Sequence, residues 1–209
     1  PPHPAPSATI APIISRVPPD SYIEMRQEKA FHLVQNESLI ERHSDHEVET
    51  RWGRFRAISY ASNVGGFEMV AFVLGAPELD DLARVRVHAA RPWADTFGGG
   101  LPGATPDLDF GFKSISKRGS GVVLYLARPN QVALLDAMAD GERPPTTENL
   151  HTIGIGAQVL RDLGLRRIEL VSRRQLPVRG VSGFGIDVVQ IVDPRDILQD
   201  EGSGEWLTH

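Results

Sequence analysis

The 209-residue chain contains no cysteine. That absence excludes a disulfide framework, a thiol nucleophile, an iron–sulfur cluster and every cysteine-held zinc site. Long apolar runs are also missing. No stretch of about eighteen apolar residues occurs, so no helical membrane span is expected. Aromatic residues are only 7% of the chain. Basic residues are outnumbered, 22 Lys and Arg against 27 Asp and Glu, for a formal charge of −5. A chain built to grip phosphate backbones is usually basic, so nucleic acid is not an expected partner. Glycine-x-serine-x-glycine and Walker motifs are absent, which removes sequence support for a serine hydrolase or a phosphate-cradling NTPase. The chain starts on Pro1 with no basic-then-apolar leader, as expected of a processed or excised piece.

What is present is enough apolar residue, 41%, for a packed core. Seven of the 16 prolines fall within residues 1–19, which reads as an extended arm. Residues 20–45 lack proline and carry Tyr22, Ile23, Met25, Phe31, Leu33, Val34, Leu39 and Ile40 among charges. This predicts one amphipathic helix capped by Asp20 or Ser21. Residues 46–193 form the main domain. There VETRWGRFRAISYAS alternates as a strand, and a glycine turn at Asn63–Gly66 leads into FEMVAFVLG as a hairpin. LARVRVHAA reads as a strand, DLDFGFKSISKRG as a helix despite Gly111, and GVVLYLA as a buried strand. NQVALLDAMAD reads as a short helix and ERPPTTEN as a loop. IGIGAQVLRDLG reads as a helix closed by Gly164, followed by strands RRIELVS and FGIDVVQIVD. The acidic tail, 194–209, reads as loose. Interleaved strands and helices make this a mixed α/β domain.

The strings TRWGRFRAISY, RVRVH, Asp95 with Phe97, GSGVVLYL, IGIGAQVLRDLG and GFGIDVVQIV, in this order, resemble GTP cyclohydrolase II. That family's zinc enzyme opens the guanine ring of GTP in riboflavin synthesis. The resemblance spans roughly residues 40–192 and implies the family's mixed α/β fold behind the arm and helix. It also implies where the chemistry should sit. The family's three zinc cysteines fall on Arg91, Pro102 and Ala104. Its catalytic Asp-x-Arg-x-Tyr falls on Asn149, His151 and Ile153. Its nucleotide contacts fall on Arg86, Val87 and His88, and its phosphate loop keeps one arginine, Arg128. Its Thr-Asn-Asn-Pro becomes Ser172-Arg173-Arg174-Gln175, which leaves Arg173 as a further candidate for a nucleotide.

The resemblance therefore implies a family frame whose zinc ligands and catalytic residues are replaced. The expected function is a pseudoenzyme of riboflavin biosynthesis, without zinc. It would be cytoplasmic and a homodimer, and it would scaffold or modulate a synthase such as dihydroxybutanone-phosphate synthase. In bacteria that synthase is often fused ahead of this family's domain. Two alternatives stay open: a zinc-free hydrolase of GTP or another purine, with His151 as its one candidate base, and a nucleotide-sensing module that binds weakly.

Four weaker signals have plainer readings. Gly98-x-Gly100-x-x-Gly103 formally matches a dinucleotide fingerprint, but Pro102 lies inside it and Pro106 follows, so a loop is expected. His43-x-x-His46 with Glu47 could make a metal corner, and a solvated helix end is the plainer reading. His88 on a buried strand is expected to be satisfied by backbone carbonyls if it meets no ligand. Arg166, Arg167, Arg173, Arg174 and Arg179 could meet an anion or an acidic partner, and a solvated rim is the plainer reading.

Overall fold

The structure is a computed structural model and describes residues 39–90, 95–96, 107–127, 147–173 and 184–199. Within them, seven strands form one sheet: β1 (Ile40–Thr50), β2 (Gly53–Ser62), β3 (Glu68–Leu74), β4 (Ala83–Ala89), β5 (Gly121–Ala127), β6 (Arg167–Val171) and β7 (Asp187–Val192). Three α-helices, α1 (Asp107–Arg118), α2 (Thr147–Asp162) and α3 (Pro194–Gln199), and a 3-10 turn at Pro77–Leu79 accompany them. The strand order is β1-β2-β3-β5-β4-β6-β7. Strands β1, β2, β3 and β5 pair antiparallel, whereas β5, β4, β6 and β7 run parallel. The expected mixed α/β class is the observed one.

Alternation along the strands sorts side chains onto two faces. On β4, Ala83, Val85 and Val87 join the main core, which also holds Ile155, Ala157, Val159 and Leu160 of α2. The second core, on the other face, holds Phe55, Val123 and the α1 residues Phe112 and Ile115. Strand β5 lies between them and feeds both, with Val122, Leu124 and Leu126 on one side and Val123 on the other. Burial on both faces is why its sequence is an unbroken apolar run.

Helix α2 ends as the sequence predicts. Gly164 adopts φ +83°, its N–H bonds to Arg161 O at 2.9 Å, and the Leu165 N–H bonds to Leu160 O at 3.0 Å. This left-handed closure favours glycine. Helix α1 tolerates Gly111 for another reason. A Cβ placed there would lie 2.6 Å from Arg86 Cγ, so the missing side chain is the seat of the arginine stem.

Several expectations change. The predicted helix over 20–45 is contradicted at its end, because residues 40–45 begin β1; residues 20–38, like the arm, lie outside the described residues. Leu39 and Ile40 do meet the core, but as the start of a strand whose ladder is satisfied by β2. VETRWGRFRAISYAS is two strands, not one. It folds back at Thr50–Gly53, where Thr50 Oγ1 donates to Gly53 O at 2.7 Å and Gly53 adopts φ +120°. Trp52 at this turn stacks on Phe112 at 4.1 Å and donates Nε1–H to Asp109 at 2.7 Å, pinning the hairpin to α1. The loop read over 142–149 ends early, since Thr147 already starts α2. The tail is not loose at its start. Asp193 accepts the Arg195 N–H at 2.8 Å and Pro194 opens α3, while Lys117 Nζ donates to Ile197 O at 2.9 Å. The predicted helix at 130–140 and the glycine-rich stretch at 97–106 lie outside the described residues.

The Gly111 seat makes a stability prediction. Alanine is favoured over glycine in a helix by about 1 kcal/mol. Gly111→Ala is nevertheless expected to destabilise by about 1–3 kcal/mol in urea unfolding, because the methyl overpacks Arg86. A stabilised variant would show that the arginine does not need the space.

Candidate active site

In an open sheet with parallel strands, ligands are met at the carboxyl ends of those strands. Here that end gathers His88 and Ala89 of β4, Leu126 and Ala127 of β5, and Val171 with Ser172 and Arg173 after β6. The connections that carry Arg91, Pro102, Ala104 and Arg128 follow β4 and β5 in sequence; those four residues lie outside the described ones.

The family-implied nucleotide contacts that are described mostly face inward. Arg86 passes under α1 at Gly111, and its Nη1–H donates to Val171 O at 2.9 Å. Val87 packs on the main core and pairs with Leu124. His88 is 2% exposed, and its Nε2 lies 2.9 and 3.0 Å from the two carboxylate oxygens of Asp95. Its partner is thus a carboxylate, in place of the expected backbone carbonyls. The imidazole also stacks on Tyr125, with ring centroids 5.7 Å apart, and the Tyr125 hydroxyl donates to Asp95 Oδ2 at 3.1 Å. Burial, reinforced by the Asp95 charge and hydrogen bond, pushes the Tyr125 phenol up to about 12.

The residues that the resemblance assigns to the family's catalytic motif lie within a helix. Asn149 and His151 lie in the first turns of α2, and Ile153 packs partly buried against the main core. An isoleucine there contributes to packing and offers no hydroxyl. Arg173 is exposed after β6, close enough to help hold the Asp193 carboxyl below its usual range after Arg195 has done so first. Arg166 and Arg167 flank the other end of β6, roughly 20 Å away along the strand. Among the described residues, Arg173 therefore lies apart from Arg166 and Arg167. Arg174 and Arg179 lie outside the described residues.

His43 and His46 sit on β1, exposed on a sheet edge instead of a helix end, with the register shift at Arg42/Ser44 beside them. Among the described residues, no three His, Asp or Glu side chains are placed to share a cation. The donor chemistry at the positions that the resemblance gives for zinc does not fit the metal. A guanidinium, a pyrrolidine ring and a methyl group, at Arg91, Pro102 and Ala104, offer no lone pair, and the first carries positive charge.

Sequence reading missed a second polar cluster beside these residues. Glu169, buried on β6, accepts from Arg84 Nε at 2.5 Å, from Arg118 Nη1 at 3.0 Å and from Gln190 Nε2. Arg84 also donates to Ser114 O and Arg118 to Leu82 O. Burial opposes the Glu169 charge, but the Arg84 hydrogen bond and charge, with Gln190 and Arg118, hold its carboxyl below the usual range. The partners are distant in sequence, so no local motif marks them.

A carboxyl whose folded pKa is depressed adds stability above its unfolded value of ~4.3 and loses it as pH falls below that. Glu169→Gln, which leaves two guanidinium groups without their counter-charge, is expected to cost about 2–4 kcal/mol near neutral pH. It should also flatten the fall in stability between about pH 5 and pH 3, read by urea unfolding across that range. An unchanged slope would contradict a charged, buried Glu169.

Comparisons with known proteins agree with this frame. A family model described as GTP cyclohydrolase II matches residues 41–193, which is the sheet from the second residue of β1 to just past β7. The riboflavin biosynthesis protein RibBA of Bacillus subtilis is 31% identical over 185 residues, covering 81% of this chain and 46% of the relative. RibBA of Aquifex aeolicus is 29% identical over 174 residues, covering 76% of this chain and 43% of the relative. The chain thus spans about half the length of the curated relatives it matches. Among solved structures, RibBX, a two-domain 3,4-dihydroxy-2-butanone 4-phosphate synthase from A. baumannii, aligns with a TM-score of 0.58 at 22% identity. That alignment covers 83% of this chain and 47% of the other, and is a likeness of fold. With a family model spanning the whole sheet and RibBA relatives aligned over most of its length, this chain belongs to the GTP cyclohydrolase II family.

Proposed function

We propose that this chain is a non-catalytic member of its family, working in riboflavin biosynthesis without zinc as a scaffold or modulator of a synthase. The observation that carries the reading is the complete absence of thiolate donors, with Arg91, Pro102 and Ala104 at the three zinc positions. The replacement of Asp, Arg and Tyr by Asn149, His151 and Ile153 supports it independently. Ring opening of GTP needs an ionised water near neutral pH and a group to move its proton. Free water has a pKa near 15.7 against ~7 on catalytic zinc. Asn149 takes no proton, and Ile153 is committed to the core.

A synthase is the proposed partner. The solved neighbour RibBX is a two-domain synthase, and about half of it matches this chain in fold. A homodimer in the cytoplasm completes the proposal. No helix among the described residues is long and apolar enough to cross a membrane.

Purified chain incubated with millimolar GTP and magnesium, with and without added zinc, is expected to release no formate and no diaminopyrimidine product. Turnover above about one per hour that disappears in His151→Ala would overturn the reading, since a histidine base would then be at work. Light scattering on the same sample should give twice the 22.9 kDa chain mass, and a clean monomer would remove the dimer from the proposal.

A further inference from the structure

Asp95 and Thr96 are described within the long connection from β4 to α1. The Asp95 side chain is 7% exposed, and a carboxylate so far removed from water needs donors. Two of them stand side by side on the sheet, because His88 of β4 and Tyr125 of β5 are register partners. His88 Nε2 meets both carboxylate oxygens and the Tyr125 hydroxyl meets one of them. Hydrogen bonds to an ionised group are roughly twice as strong as neutral ones, so this contact holds Asp95 firmly against the sheet. The same connection carries Arg91, Pro102 and Ala104, none of which can ligate a metal.

We propose that the connection between β4 and α1 is fastened to the sheet by a metal-independent latch, the Asp95 carboxylate held between His88 and Tyr125. The latch goes beyond the proposed pathway role and stands whether or not the chain opens GTP. His88 and Tyr125 are then positioning residues, and their work is to fix where the β4–α1 connection leaves the carboxyl end of the sheet.

Hydrogen exchange by mass spectrometry on the full chain tests it, with peptides across residues 90–106 as the readout and peptides of α2 as the internal reference. Asp95→Asn is expected to speed exchange across 90–106 by ~10-fold, with α2 unchanged. Tyr125→Phe, which removes one oxygen and keeps the ring, is expected to speed it by a smaller factor. EDTA added to the unaltered chain should change nothing. Exchange across 90–106 that is the same in both variants as in the unaltered chain would overturn the latch. So would loosening by EDTA alone as large as that of Asp95→Asn. Should Asp95→Asn fail to fold, Tyr125→Phe decides: local loosening supports the latch and none overturns it.

Discussion

Three basic side chains on one strand, Arg84, Arg86 and His88, face the same side of the sheet, and the rest of that side is arranged to receive them. Burying such groups without partners would cost several kcal/mol each. Glu169 receives Arg84, the Val171 carbonyl receives Arg86, and Asp95 receives His88. Each partner has a consequence. Glu169 draws in Arg118 and Gln190, linking α1 and β7 to the strand. Arg86 requires a glycine in α1. Asp95 ties down the chain that follows β4. The other side of β4 carries Ala83, Val85, Val87 and Ala89, and the first three join the apolar core.

Much of this was legible in the sequence, and the reasons differ by element. Strand β5 was clear because two-sided burial writes an unbroken apolar run. Helix α2 was clear because Ile155, Val159 and Leu160 share a face ahead of Gly164, although its first turn was not, since polar residues after Pro145 look like a loop. The sequence reads the first half of β1, residues 40–45, as the end of a helix. The strand is a polar edge with a register shift at Arg42/Ser44, so its period is broken where the alternation should show. Helix α3 was overlooked despite Asp193-Pro194, a cap followed by a first-turn proline. At the candidate site, Arg86 and His88 were picked as ligand contacts through the resemblance. Their actual partners lie 85 and 7 residues away, which no local spacing reveals.

The two kinds of position behave differently in this family member. The family model matches across the whole sheet, residues 41–193, and with it both cores. At the positions that the resemblance assigns to the chemistry, in our proposal we read Arg91, Pro102, Ala104, Asn149 and Ile153 as groups that offer neither metal donor nor base. Arg86 and His88 have internal partners, the Val171 carbonyl and the Asp95 carboxylate, which give both residues a structural role without invoking a nucleotide.

The central claim is that an intact frame has lost its metal donors, and zinc stoichiometry tests it most directly. The account predicts far less than one zinc per unaltered chain after dialysis against zinc. It predicts close to one zinc per chain, with unfolding shifted to higher urea when zinc is present, for the variant carrying Arg91→Cys, Pro102→Cys and Ala104→Cys. Stoichiometric, chelator-resistant zinc on the unaltered chain would contradict it.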